Sequence, residues 1–447
     1  MTIASTIYAL SSAPGRAGVA VVRVSGPQAG DAVIALCGDL PKHRFASLRK
    51  LRNAEGVPID EALVLWFEKP NSFTGEDVAE LHIHGGRAVL AALFEALAKV
   101  PGLRLAEPGE FSRRAFENGR LDLTEAEGLG DLINAETEAQ RRQALRQMQG
   151  GLSDLYEGWR ARLTHALAHL EADIDFADED LPEGVAAEVR PQVARLREEI
   201  AGHLADNRRG ERLRDGLMVA ILGAPNVGKS SLLNALARRE AAIVSDLPGT
   251  TRDVIEVHLD LGGYPVILAD TAGLRDTADM VENEGVRRAL KRAEAADLKL
   301  VVLDATRDVV PPETLQLIDR DAIVIANKID AGSIPENYTI NGRPVLPVSV
   351  RSREGMDALL AALEQEVTAR IGLTGSAGIT RARHREALTD CVAALDRFLA
   401  GNGRNNQAPE LAAEDVRLAA RSLGRITGRI DVEDLLDVIF RDFCIGK

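Results

Sequence analysis

Long apolar runs are missing from this 447-residue chain: no stretch approaches the 18 or so consecutive apolar residues that read as a membrane helix, and Met1 to Leu10 has no basic flank leading into an apolar core. Neither a membrane span nor a secretion signal is expected. Cysteine is scarce as well. Cys37, Cys391 and Cys444 are odd in number, far apart and without a CxxC pair, which gives no zinc or disulfide framework and fits a reducing cytosol. Cys444 stands fourth from the C-terminus, but Gly446 and Lys447 fit a prenylation box poorly, so lipidation is not expected. A global basic field is also absent. The formal net charge is −14, so any nucleic acid must be held by local patches, and a simple RNA-coating protein is disfavoured. No internal repeat is present.

What is there reads as soluble globular protein, 45% hydrophobic and 27% charged. The length suggests about two to four domains. From Ile7 to Arg120 short apolar strands, such as Gly18 to Val24 and Ala62 to Phe67, mix with turns and a helical stretch from Arg87 to Lys99, the pattern of a small α+β domain. From Thr124 to about Arg214 glycine and proline thin out, and Leu152, Leu155, Trp159, Leu163, Leu167 and Leu170 keep helical spacing. Strand-like runs then recur at Gly216 to Leu222, Val257 to Leu261, Val266 to Ala269, Leu298 to Leu303, Ala322 to Ala326 and Pro344 to Val348, mostly with helical segments between them. Such alternation predicts a mainly parallel α/β sheet. A hinge at Gly372 to Gly378 precedes renewed helical periodicity from Arg381 to Phe443, so the α/β domain is read as inserted into a helical one. The expected division is 1–119 α+β, 120–213 helical, 214–373 inserted P-loop domain and 374–447 second helical part.

Gly223-Ala-Pro-Asn226-Val227-Gly228-Lys229-Ser230 matches a P-loop and sits between an apolar strand and the helix Ser231 to Ala237. Successive amides at a helix N-terminus hold phosphates, Lys229 reaches the outer ones, and the Ser230 hydroxyl binds magnesium. Then come Ser245-Asp246-Leu247-Pro248-Gly249-Thr250-Thr251-Arg252-Asp253, Asp270-Thr271-Ala272-Gly273 after a strand, and Asn327-Lys328-Ile329-Asp330 after another. A threonine of the first can complete the magnesium shell, Asp270 can hold the metal through a water, and the Gly273 amide can meet the γ-phosphate. Asp330 selects guanine, whose two adjacent N–H donors suit one carboxylate; an ATPase fails there. In this Ras-like layout Leu274 replaces the glutamine that orients the attacking water, leaving Asp276, Asp279, Glu282 and Glu284 as candidates for that task.

From end to end the chain resembles the MnmE (TrmE) family of tRNA-modification GTPases. The carrying residues are Ala20-Val-Val-Arg23-Val-Ser-Gly26, Ala79-Glu80-Leu-His82-Ile-His84-Gly-Gly86, Gly109-Glu-Phe-Ser-Arg-Arg-Ala-Phe116, Gly249-Thr-Thr-Arg-Asp253 and the terminal Cys444-Ile-Gly-Lys447. The resemblance implies a potassium-assisted GTPase whose G domains pair across a homodimer. Asn226, Ser245, Leu247 and Thr250 would hold the potassium, Thr251 with Ser230 the magnesium, and Glu282 would orient the water. Ser349-Val350-Arg351 would be the fifth guanine motif, departing from the usual form at Val350, and Ser231 completes the P-loop. The resemblance further implies a tetrahydrofolate-binding-like N-terminal fold, with Arg23, Glu80, Arg120 and Lys447 at a 5-formyl- or methylene-tetrahydrofolate. The implied reaction, with the FAD protein MnmG (GidA), adds an aminomethyl or carboxymethylaminomethyl group to carbon 5 of the wobble uridine of certain tRNAs in the cytoplasm. Cys444 is the family's suspected reactive thiol. The competing class is a GTP-regulated ribosome assembly factor.

Two features stand apart. Arg417, Arg421, Arg425 and Arg429 recur every four residues, a stripe for tRNA phosphate or an acidic partner, or a solvated face paired with Asp431, Glu433 and Asp434. His82 and His84 share one strand face, and a metal would need a third ligand.

Overall fold

The computed structural model describes residues 5–175, 185–239, 256–270, 296–307, 309–372, 378–401, 409–430, 433–441, 443 and 445–446. The chain divides into two compact units: Met1–Gly130 with Gln147–Ala168 and Val416–Lys447, and Asp131–Arg146 with His169–Asp415. Among the described residues no helix is long and apolar enough to cross a membrane.

The first unit is built on six strands, β1 (Thr6–Leu10), β2 (Ala17–Ser25), β3 (Ser47–Arg52), β4 (Pro58–Phe67), β5 (Val78–Gly85) and β6 (Leu103–Leu105), in the order β3-β4-β5-β2-β1-β6. All neighbours are antiparallel except β1 and β6. Along β2 the side chains alternate, so Val22 and Val24 are fully buried while Arg23 lies on the opposite face. The Val22 face packs with Leu81, Val64, Val33, Leu36, Leu93 and Leu97, which brings the helices Ala29–Cys37 and Arg87–Ala98 onto it. Each such side chain contributes about 1.5–3 kcal/mol on full burial. On the other face a smaller cluster of Ile7, Ala9, Ala106 and Phe111, with Phe73, seats the helix Glu110–Glu117. The C-terminal helix Glu433–Arg441 joins this unit through Leu436 and Phe440, which pack with Leu123, Ala126 and Phe116.

The second unit carries seven strands: β7 (Leu217–Leu222), β8 (Glu256–Leu261), β9 (Tyr264–Asp270), β10 (Leu298–Asp304), β11 (Ala322–Asn327), β12 (Thr339–Ile340) and β13 (Arg343–Pro347). Their order is β12-β13-β11-β10-β7-β9-β8, parallel from β13 to β9, with β8 and β12 antiparallel at the two edges. This is the mainly parallel sheet that the apolar runs predict. β7 is covered on both faces: Val219 and Ile221 pack with the helices Lys229–Arg239 and Met356–Ile371, and Ala220 and Leu222 pack with Val301, Leu303 and Ile318. The chain therefore leaves β7 inside the sheet, between β10 and β9, at its carboxyl edge, where ligands of open α/β sheets bind. The long helices expected from Thr124 to Arg214 are present as Leu123–Asn134, Glu138–Met148, Ser153–Asp175, Val185–Leu204 and Arg209–Asp215. After 372 the helices Ala382–Ala400 and Pro409–Thr427 follow, and Val185–Leu204 packs against Ala382–Ala400.

Candidate guanine-nucleotide and ring-binding sites

The P-loop backbone leaves β7 in a series of unusual conformations. Asn226 has φ +65°, Gly228 has φ +103°, and a Cβ at Gly228 would lie 2.4 Å from Asn327 Nδ2, so only glycine fits between the two loops. Lys229 opens the following helix and is buried; its Nζ donates to the carbonyls of Gly223 and Ala224, at 3.0 and 2.9 Å. The ammonium thus lies folded across its own loop, a donor set and concavity that fit a phosphate chain. Ser230 and Ser231 are exposed in the helix's first turn, and Val227 is buried behind it. A hydroxyl at that position suits a hard, oxygen-seeking cation such as magnesium.

The base loop is tied to this one. Asn327, at the end of β11, is buried; its Nδ2 donates to the Val227 carbonyl at 2.8 Å and its Oδ1 accepts from the Val350 N–H at 3.2 Å. Lys328 (φ +69°) donates from Nζ to the Asn226 carbonyl at 2.8 Å and to Asp304 Oδ2 at 2.7 Å. Ser349 Oγ donates to Asp330 Oδ1 at 2.7 Å, which orients the carboxylate, and accepts from the Ser352 N–H at 3.0 Å. Arg351 extends into solvent with Nη1 3.9 Å from Asp330 Oδ2. The P-loop, Asn327 to Asp330 and Ser349 to Arg351 therefore meet at one edge of the sheet. Asp270 ends β9, opposite Ile221 of β7. Ser245, Asp246, Leu247, Pro248, Gly249, Thr250, Thr251, Thr271, Ala272, Gly273 and Glu282 lie outside the described residues, as do Cys444 and Lys447.

In the first unit Arg23 and Glu80 face each other across β2 and β5 as register partners. Arg23 Nε and Nη2 both donate to Glu80 Oε1, at 3.1 and 2.8 Å, and His82 Nε2 stands 3.5 Å from Glu80 Oε2. The guanidinium also lies 5.1 Å from the Phe73 ring centroid and 5.7 Å from that of Phe111. Two of the four residues that the resemblance implies for the folate, Arg23 and Glu80, are thus brought together. The Glu80 carboxylate, held by that guanidinium, is an acceptor that suits a flat ring with N–H donors. Arg120 is exposed, its stem beside Gly75. Phe73 and Phe111 were not singled out from sequence; the phenylalanine inside Gly109 to Phe116 is the one signal that pointed near them.

The C-terminus reaches this unit's sheet. Ser11 Oγ donates to the Gly446 carbonyl at 2.9 Å, Ile445 bridges to Pro108, and Gly446 (φ +96°) packs so closely that a Cβ would meet the Leu10 carbonyl at 2.1 Å. Leu10 follows Ala9, the register partner of Arg23. His84 pairs instead with Asp60, Nδ1 to Oδ1 at 2.8 Å, and that contact with two backbone N–H bonds holds Asp60 below the usual carboxylate range against the effect of its burial. Arg417, Arg421, Arg425 and Arg429 are all exposed, and Arg429 Nε lies 3.8 Å from Glu157. Asp431 and the side chains of Glu433 and Asp434 lie outside the described residues.

Residues 123–444 match the family described as the MnmE helical domain, and residues 6–120 match the GTP-binding protein TrmE N-terminus. A "tRNA modification GTPase MnmE" of Paramagnetospirillum magneticum is 59% identical over 447 residues, covering 100% of both chains. A protein of the same name from Parvibaculum lavamentivorans is 58% identical over 99% of this chain and 100% of its own, and one from Rhodospirillum rubrum 56% over 100% of both. Among solved structures, the G domain of the T. maritima FeoB iron transporter matches over 34% of this chain and 98% of its own at 27% identity, with a TM-score of 0.26. The matched domains span both units, and the relatives align from one end to the other: the chain belongs to the MnmE (TrmE) family of tRNA modification GTPases.

Proposed function

We propose that the protein hydrolyses GTP and, with an FAD-dependent partner of the MnmG (GidA) kind, adds a carboxymethylaminomethyl or aminomethyl group to carbon 5 of the wobble uridine of certain tRNAs in the cytoplasm. The observation that supports it most is the joining of the base and phosphate loops through Asn327 and Lys328, within a chain whose relatives match over their full length. Asp330, oriented by Ser349, accepts the two N–H groups of guanine, and Asn327 with the Val350 amide fixes the loop that carries it. The P-loop amides and Lys229 bind the phosphates. Ser230, with Thr251, would hold magnesium, and Asn226, with Ser245, Leu247 and Thr250, would hold potassium. These cations offset charge that builds between the phosphates. Glu282 would orient the attacking water in place of the glutamine absent at Leu274.

The first unit is read as a tetrahydrofolate-binding-like domain that also forms the homodimer, with Arg23, Glu80, Arg120 and Lys447 at the folate. Ile445 and Gly446 dock at Pro108 and at Ser11, just after the strand whose Ala9 is the register partner of Arg23. The division 1–119, 120–213, 214–373 and 374–447 is proposed on the same basis. The test is GTP turnover in potassium against sodium at equal ionic strength, for the natural protein and Glu282→Ala. Acceleration by potassium that Glu282→Ala abolishes while nucleotide still binds is the expected result. A rate indifferent to the cation overturns the cation and glutamate assignments and favours a GTP-regulated assembly factor.

A further inference from the structure

Asp304 belongs to none of the nucleotide-binding motifs, yet its carboxylate is the anchor of the base loop. It ends β10 with its side chain only 5% exposed. Oδ2 accepts from Lys328 Nζ at 2.7 Å, while Oδ1 accepts from the Thr306 N–H at 3.1 Å and the Thr306 hydroxyl at 2.7 Å. Burial alone raises the pKa of a carboxyl; here the Lys328 and Thr306 hydrogen bonds outweigh it and hold the group at about 2. Asp304 is thus a carboxylate at any working pH, and a shielded charge of that kind requires its partner to stay in place. Arg307 Nε stands farther off, 3.8 Å from the same Oδ2, so the hydrogen-bonded cation is the Lys328 ammonium; it has three donors, and a second of them goes to the Asn226 carbonyl at 2.8 Å.

Asn226 holds φ +65° on the P-loop, and Lys328 holds φ +69° on the base loop. Left-handed backbone at residues other than glycine persists where surrounding contacts over-determine it. The Lys328 tether supplies such a contact to both residues at once. We infer that Asp304 is a positioning residue: through Lys328 it pins the Asn226 carbonyl, which fixes the left-handed turn of the P-loop and thereby the direction in which the Asn226 side chain meets a monovalent cation beside the phosphates. The cation half of this inference rests on the potassium reading above. One buried carboxylate then sets both the base loop and the cation ligand, so guanine retention and potassium sensitivity share a determinant.

The experiment uses the full chain and three variants: Asp304→Asn, Lys328→Met and the double. Release of a fluorescent GDP analogue is measured first. Loss of a charge-assisted hydrogen bond is expected to speed release about tenfold in Asp304→Asn. Because Asp304 acts through Lys328, the double variant should release no faster than Lys328→Met alone, whereas additive effects overturn the tether. The potassium concentration for half-maximal GTP turnover, and the potassium dependence of analogue affinity, are measured next. Asp304→Asn should raise the half-maximal concentration several-fold while turnover at saturating potassium stays within about twofold. Faster release with an unmoved potassium response overturns the link to Asn226. Asp304→Glu keeps the charge but displaces Lys328, and serves the same readouts should Asp304→Asn fail to fold. Natural protein that does not distinguish potassium from sodium removes the cation reading and the Asn226 half of this inference, while the release cycle alone decides the tether.

Discussion

Asn327 Nδ2 donates to the carbonyl of Val227 at 2.8 Å, so the loop that reads the base and the loop that wraps the phosphates are joined directly. Both residues are buried, and Asn327→Ala would leave the Val227 carbonyl without its donor, at about 1–3 kcal/mol. GDP affinity should fall by about tenfold or more, by titration calorimetry. Unchanged affinity would show that the two loops hold their places separately.

Asp330 offers two acceptor oxygens, one of them steadied by Ser349. Asp330→Asn replaces one oxygen with an N–H donor, which opposes the amino group of guanine but suits a carbonyl in its place. The variant should lose about 100-fold or more in GTP affinity and gain xanthosine triphosphate, measured by competition. Equal loss for both nucleotides would count against base reading by this carboxylate.

At Gly446 a side chain meets two obstacles, a left-handed φ of +96° and the Leu10 carbonyl at 2.1 Å. Gly446→Ala should release the C-terminal tail from the sheet, with about 1–3 kcal/mol lost from the folded state. Limited carboxypeptidase digestion should then remove the tail faster than in the natural protein, and an unaltered digestion rate would argue that the tail adjusts in place.

Burial pushes the Cys37 thiol up to about 11 and the Cys391 thiol up to about 12. At pH 8 the thiolate fraction is then roughly one in a thousand or less for each, so both should resist iodoacetamide in the native protein. A rapid single labelling event would therefore map to Cys444 by peptide mass. Early modification of Cys391 would instead mean that its helix opens readily.

Glu80 accepts both donors of Arg23 through Oε1. Glu80→Gln keeps the shape, weakens this charge-assisted pair and removes the acceptor proposed for the folate ring. Retention of 5-formyltetrahydrofolate by the full chain should drop at least about tenfold while GTP turnover stays within about twofold of natural. Full retention would place the ring elsewhere.

Much of the second unit was legible in sequence because its signals are local. A strand buried on both faces must be apolar throughout, as Leu217 to Leu222 is, and a phosphate loop needs its glycines and lysine at fixed spacing before a helix. The base-reading Asn327, Lys328 and Asp330 are contiguous for the same reason. In the first unit the alternation around Arg23 marked a strand but did not say which residue would face it.

The sequence by itself determined the class of nucleotide site, the mainly parallel sheet and the family, since each is written in short-range spacing and composition. Tertiary structure alone decided that Asp304 serves Lys328 and that Lys328 reaches back to Asn226, residues 24 and 102 positions apart. It also decided that Arg23 meets Glu80 between Phe73 and Phe111, and that Gly446 lies against Leu10. These pairings follow from strand order and register. No local periodicity encodes them, because a contact between distant segments exists only once the sheets that carry them have assembled.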